Sequence, residues 1–284
     1  MQQRAVPSIG AHLFQAGSCM RPKTTITYAE HLTRKGPRLL QADLYRPKGD
    51  GPFPLITWMH SGGFRSGSRE HPVHGRIAAE FARQGYAIAF LDYRLARPPA
   101  ILQPRIESMV DTLIAEAVAC GETMHETFFG PRPLAVVEDC CAFLAAVLAR
   151  APDLLLSGRV LLAGSSAGAI SALNTLYLPQ HLGLACPPVS TVFAFSGGFA
   201  YTPRRFASGA RILALHNPDD SRVPVASIRR LSQNSLDPCL LIESESQDHG
   251  SLTLSPQEPL SAAVARCVAF DQADDPLALV LDRG

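Results

Sequence analysis

The chain has 284 residues, 46% of them hydrophobic and 18% charged, with a formal net charge of +1. That length suits one large domain with a deep core, and the composition excludes a disordered chain. The near-neutral balance shows no basic stripe, which argues against a nucleic acid partner, and no apolar run is long enough to cross a bilayer.

The N-terminal stretch MQQRAVPSIGAHLFQAG lacks the apolar core of a secretory signal. Thr24–Glu30 and Leu39–Pro47 then alternate polar and apolar residues, as a half-exposed antiparallel pair of strands does. From Pro54 onward, short aliphatic runs alternate with stretches of helical period. Pro54–Met59, Ala87–Tyr93, Arg159–Gly164, Thr191–Ser196, Arg211–His216 and Cys239–Ser244 read as strands covered on both faces. His74–Gln84, Leu134–Arg150, Ala167–Leu178 and Val225–Gln233 read as helices. Such alternation predicts an α/β fold, with a mainly parallel sheet of about eight strands, helices on both faces, and one domain over 1–284.

About forty residues separate Arg94 from Leu134, where a short link would serve. Within them Arg105–Cys120 carries Ile106, Met109, Val110, Leu113, Ile114 and Ala117 on one helical stripe, which needs an apolar surface to lie on. The insertion, 97–133, is expected to form a cap over the C-terminal edge of the sheet; packing against the side of the domain is the alternative. The seven cysteines lie at 19, 120, 140, 141, 186, 239 and 267 with no CxxC spacing, so a zinc ribbon or dithiol redox site is not signalled. Cys140 and Cys141 read as small hydrophobes in a helix, and a reduced, cytoplasmic setting is expected. His71 and His74 are three apart, a spacing open to a metal, but no further ligands lie nearby in sequence; they are expected at the surface or a cleft rim, with no metal.

Chemistry concentrates at Gly164-Ser165-Ser166-Ala167-Gly168, which fits G-x-S-x-G between a strand and a helix. Small residues must stand two places either side of the central serine because strand and helix crowd there, and this selects Ser166 over Ser165. A serine hydroxyl needs a base, and the base needs an orienting acid. The segments NPDDSRVP and ESQDHGSL follow the strands ending at His216 and Ser244, and supply Asp220 and His249 in the order serine, acid, histidine. Asp219 rivals Asp220 as the acid. WMHSGGF follows the first core strand, and its bare glycines suit close approach of N–H groups to a reacting oxygen. Gly62, Gly63 and Ala167 are the expected oxyanion donors, with His60 bracing their loop.

From about Leu39 to Phe270 the chain resembles α/β-hydrolases of the hormone-sensitive-lipase-like and acetyl-esterase group. HSGGF resembles that group's HGGGF loop with Ser61 at its first glycine, LDYRLA its strand after the first crossover, and GSSAG its nucleophile turn. The acid segment HNPDDSRVP is more similar to the HGxxDxxVP pattern of dienelactone-hydrolase and prolyl-oligopeptidase-like domains, which matches Asp220 to the acid. The resemblance implies a serine esterase without a cofactor, acting on a small-molecule ester through an acyl-enzyme, and structural roles for Asp92 and Arg94. Few aromatics beyond Phe128 and Phe129 in the insertion point to a short acyl group. Two other readings stand beside it: an amide or formamide hydrolase of arylformamidase type with the same triad, and a ligand-binding protein on a retired hydrolase fold.

Overall fold

Eight strands make one sheet in the order β1-β2-β4-β3-β5-β6-β7-β8. The computed structural model describes residues 19–33, 36–96, 101–202 and 207–278, so the reading of the first seventeen residues, and the start of the insertion at 97–100, lie outside it. β1 (Thr24–Thr33) and β2 (Gly36–Tyr45) form the antiparallel pair, and β2 also pairs antiparallel with β4 (Ala87–Leu91). β3 (Phe53–Met59), β5 (Leu156–Ser165), β6 (Val189–Phe195), β7 (Arg211–His216) and β8 (Cys239–Glu243) run parallel, beside β4.

The continuous apolar runs follow from cover on both faces. One face packs under α4 (Pro131–Leu148), α5 (Ala167–Tyr177) and α7 (Val225–Asn234), around Leu55, Leu162, Ala214, Val136, Ile170 and Ile228. The other packs under α1 (His74–Arg83) and α8 (Leu260–Gln272), around Trp58, Phe90, Phe193, Ile77 and Val264. Cys140 and Cys141 are buried in α4, and all seven cysteines are unbridged.

One expectation is corrected. The stripe from Arg105 to Cys120 is two helices, α2 (Pro104–Glu107) and α3 (Val110–Ala119). At the break the Ser108 hydroxyl donates to the Arg105 carbonyl at 2.8 Å, competing locally with the helix ladder. Their buried residues are Ile106, Leu113 and Ala117, with Met109, Val110 and Ile114 half-buried. The terminal helix α8 was not anticipated. His74 borders a cleft together with His71, but its ring is buried, stacked on Phe90 at 3.9 Å, and its Nδ1 lies 2.7 Å from the Arg69 carbonyl. Burial pushes its pKa down to about 4. His71 is exposed, and no group of His, Cys, Asp and Glu suited to a metal occurs among the described residues.

The insertion touches the segments that follow β3 and β6, and helix α7. The Phe128 ring stands 6.2 Å from that of Phe64, in the loop after β3. Tyr201, beyond β6, donates to the Phe129 carbonyl at 2.8 Å, and Arg230 of α7 pairs with the fully buried Glu122. Asp92 accepts from the Arg69 N–H at 2.9 Å, and Arg94 binds Asp139 at 2.7 Å and the Ile101 carbonyl at 2.7 Å. Both side chains tie loops together, and Arg94 anchors the near end of the insertion. No helix among the described residues is long and apolar enough to cross a membrane.

Candidate active site

Ser166 caps the C-terminal end of β5 at φ 54° and ψ −120°, a conformation that costs a side-chain-bearing residue about 1–3 kcal/mol. Its surroundings enforce it. The Ser166 N–H donates to the Phe195 carbonyl at 2.8 Å, pinning the turn to β6. A Cβ on Gly164 would strike the Gly168 carbonyl, and one on Gly168 would strike the Met59 carbonyl. Strand end and helix start therefore close to backbone contact, and the side chain between them is driven out over the sheet edge. Ser165, the other serine of the turn, is not within the triad contacts described below.

β3 neighbours β5 with Met59 in register with Gly164, so the loop from His60 onward begins level with Ser166. Gly62 has φ 117°, and a Cβ there would meet the Ser66 carbonyl. Gly63 has φ 60° with open space where a side chain would be. The Gly62 carbonyl accepts from the Arg65 and Ser66 N–H groups at 3.0 and 3.2 Å, turning the loop back on itself. The N–H groups of Gly62 and Gly63 have no hydrogen-bond acceptor among the described residues, which leaves them available to a ligand oxygen. His60 stacks on Tyr93 at 4.0 Å, and its Nδ1 lies 2.6 Å from the Ser61 carbonyl. Burial lowers its pKa against that hydrogen bond, so it remains a neutral brace.

His249 Nε2 lies 2.8 Å from Ser166 Oγ, and His249 Nδ1 lies 2.6 Å from Asp220 Oδ2. The Asp220 side chain is 2% exposed and that of His249 17%. Asp219 is exposed, and its N–H donates to Asn217 Oδ1 at 2.8 Å. The other Asp220 oxygen, Oδ1, accepts from the Arg222 and Val223 N–H groups at 2.8 and 3.1 Å. Burial raises the Asp220 pKa, but the His249 hydrogen bond and the two N–H donors outweigh it and hold the carboxyl below the usual carboxylate range.

Sequence reasoning missed the residues that hold these two loops. Asn217 Nδ2 donates to the Glu245 and Gln247 carbonyls, both at 3.0 Å, and so joins the acid turn to the histidine loop. Ser196, at φ 53° after β6, accepts from the Gly250 N–H at 2.9 Å. Gln247 is buried and donates to the Ser251 carbonyl at 2.8 Å. His216, at the end of β7, is fully buried with Nε2 2.8 Å from the Val223 carbonyl. The signal for all four was their position, within a few residues of a strand end on the edge that carries Ser166.

A cavity of about 390 Å³ opens beside the corner. Ser165 and Gly250 border it next to Ser166, His60 and Ser61 come from the β3 loop, and Trp58 and Leu252 add apolar wall. Its size suits a small organic group.

A family model described as BD-FAE matches residues 42–113, from β2 into α3. No curated protein matches the chain. Among solved structures, Thermogutta terrifontis esterase 2 phosphorylated by paraoxon superposes with a TM-score of 0.61 at 16% identity, over 87% of this chain and 91% of that one. The Pyrobaculum calidifontis esterase gives 0.58 at 17% identity, over 90% of this chain and 86% of that one. Esterase LipW from Mycobacterium marinum gives 0.56 at 19% identity, over 88% and 79%. At these identities what is shared is the fold, and the chain has the α/β-hydrolase fold of these esterases.

Proposed function

We propose that the protein is a serine hydrolase that cleaves a small carboxylic ester through an acyl-enzyme. The observation that carries this reading is the continuous hydrogen-bonded line from Ser166 Oγ through the His249 ring to Asp220 Oδ2, at 2.8 and 2.6 Å. With Asp220 ionised, Nδ1 of His249 carries the proton that it donates to the carboxylate. Nε2 then presents its lone pair to the Ser166 hydroxyl.

In the reaction Ser166 attacks the acyl carbon as His249 takes its proton. Asp220 orients the ring and stabilises the imidazolium. The N–H groups of Gly62, Gly63 and Ala167 receive the oxyanion, the last at the positive end of α5. His249 then protonates the leaving alcohol and draws a proton from the water that attacks the acyl-enzyme. No step calls for a cofactor. The three solved structures compared above are esterases by name, which supports ester chemistry for this chain.

In the same reading the insertion is a cap. Its contacts with Phe64, Tyr201 and Arg230 run along the edge that carries Ser166, and so favour a covering role over packing at the domain's side. The scarcity of aromatic residues beyond Phe128 and Phe129 in the insertion favours a substrate with short groups. A panel of p-nitrophenyl esters of increasing acyl length, with an aryl formamide alongside, tests the reading. Turnover is expected to be highest on the shortest acyl groups. Hydrolysis of the formamide without hydrolysis of p-nitrophenyl acetate would assign the site to amide chemistry instead.

A further inference from the structure

We propose that His216 is a positioning residue for the acid of the triad: its Nε2–H fastens the far end of the turn carrying Asp220 back onto the end of β7. The inference rests on the reading of Ser166, His249 and Asp220 as a triad.

The turn runs from Asn217 to Val223. Its last residue does two things at once: the Val223 N–H donates to Asp220 Oδ1 at 3.1 Å, while the Val223 carbonyl lies 2.8 Å from His216 Nε2. A carbonyl only accepts, so Nε2 holds the ring proton and Nδ1 is bare. His216 therefore sets the Val223 peptide, that peptide sets Oδ1, and Oδ2 is left facing His249.

Stability alone gives little reason for an imidazole here. The ring is fully buried, and Nδ1 has no hydrogen-bond partner among the described residues. Burying an unpaired polar nitrogen costs at least as much as one neutral hydrogen bond returns. A leucine would remove the bare nitrogen but also the donor to the carbonyl of the buried Val223, so what the histidine secures is that carbonyl and with it the direction in which Val223 points.

The ring must also remain uncharged. Nε2 lies 3.6 Å from Asp220 Oδ2, beyond a hydrogen bond, yet near enough for a cation to compete with His249 for that oxygen. The charged and titratable groups facing it are Asp220, His249 and Glu243, which sits opposite it in register on β8. Burial lowers its pKa against the bond to Val223 and the charge of Asp220, while His249 opposes protonation further.

The test compares His216→Leu, His216→Gln and His216→Asn in the full chain, with kcat and KM on p-nitrophenyl acetate measured across pH. Ser166→Ala is the reference: if it retains wild-type turnover, the triad reading falls, and this proposal with it. His216→Leu is expected to lower kcat roughly tenfold or more through misplacement of the acid. KM should stay within about twofold, since no binding contact is lost. The acid limb of kcat/KM should move to lower pH, because a loosened carboxylate stabilises the imidazolium less. The Gln amide nitrogen reaches the place of Nε2 and should recover kcat to within about threefold of wild type. The Asn nitrogen reaches only the place of Nδ1 and should not. A folded His216→Leu with wild-type kcat and acid limb overturns the proposal. So does equal activity of the Asn and Gln variants, and that comparison decides the matter if the leucine variant does not fold.

Discussion

The corner that carries Ser166 and the loops that carry Asp220 and His249 are held by different means. Around Ser166 the constraint is backbone against backbone, with Gly164, Gly168 and Met59 so close that a single Cβ would not fit. Around Asp220 and His249 it is side chain against backbone: His216 to Val223, Asn217 to Glu245 and Gln247, Ser196 to Gly250. The first arrangement leaves a mark in the sequence because only glycine satisfies it. The second is spread over separate strand ends and tolerates gradual loss.

That contrast can be tested by substitution. Gly168→Ala should be the most damaging, since its Cβ meets backbone that has nowhere to move; a loss of about 4 kcal/mol or failure to fold is expected in chemical denaturation. Gly63→Ala is its control. Its φ of 60° still strains an alanine, but the space is open, so about 1–2 kcal/mol is expected. Equal costs at the two glycines would dissolve the distinction. Asp220→Asn should leave a folded protein with kcat lower by on the order of 10³–10⁴, while Asp219→Asn should change kcat by less than about twofold. Steady-state rates on p-nitrophenyl acetate separate these, and a large effect at Asp219 would contradict the geometry. Asn217→Ala removes two hydrogen bonds that join the loops and should lower kcat roughly tenfold with little change in KM, a graded loss of the kind the side-chain network predicts.

The smallest effect concerns pH. The folded pKa of Asp220 lies below its value of 3.8 in an unfolded chain. Its contribution to stability is therefore complete above that unfolded value and is lost as pH falls through the folded pKa. Thermal unfolding from about pH 5 to pH 3 should show a shallower decline for Asp220→Asn than for wild type. A steeper decline would mean that the carboxyl is not stabilised in its charged form.

The same contrast explains what could be read from the sequence. The buried strands were legible because cover on both faces demands unbroken aliphatic runs, and the first two because one-sided cover demands alternation. The meeting of Ser166, Asp220 and His249 was legible because each follows a strand's C-terminal end in a fixed chain order. Choosing Asp220 over Asp219 needed the turn itself, which exposes one carboxylate and aims its neighbour at His249. The burial of His74 was not legible, because its stacking on Phe90 comes from a strand sixteen residues later in the chain. The α2–α3 break depends on Ser108 choosing a local carbonyl over solvent, which a hydrophobic stripe does not encode.

In the proposed reaction His249 activates Ser166. Stoichiometric reaction with a fluorophosphonate probe, followed by mass mapping of the labelled peptide, tests it most directly. One label per chain is expected, on Ser166, absent in Ser166→Ala and strongly slowed in His249→Ala. A label on Ser165, or undiminished labelling of the Ser166→Ala variant, would contradict it.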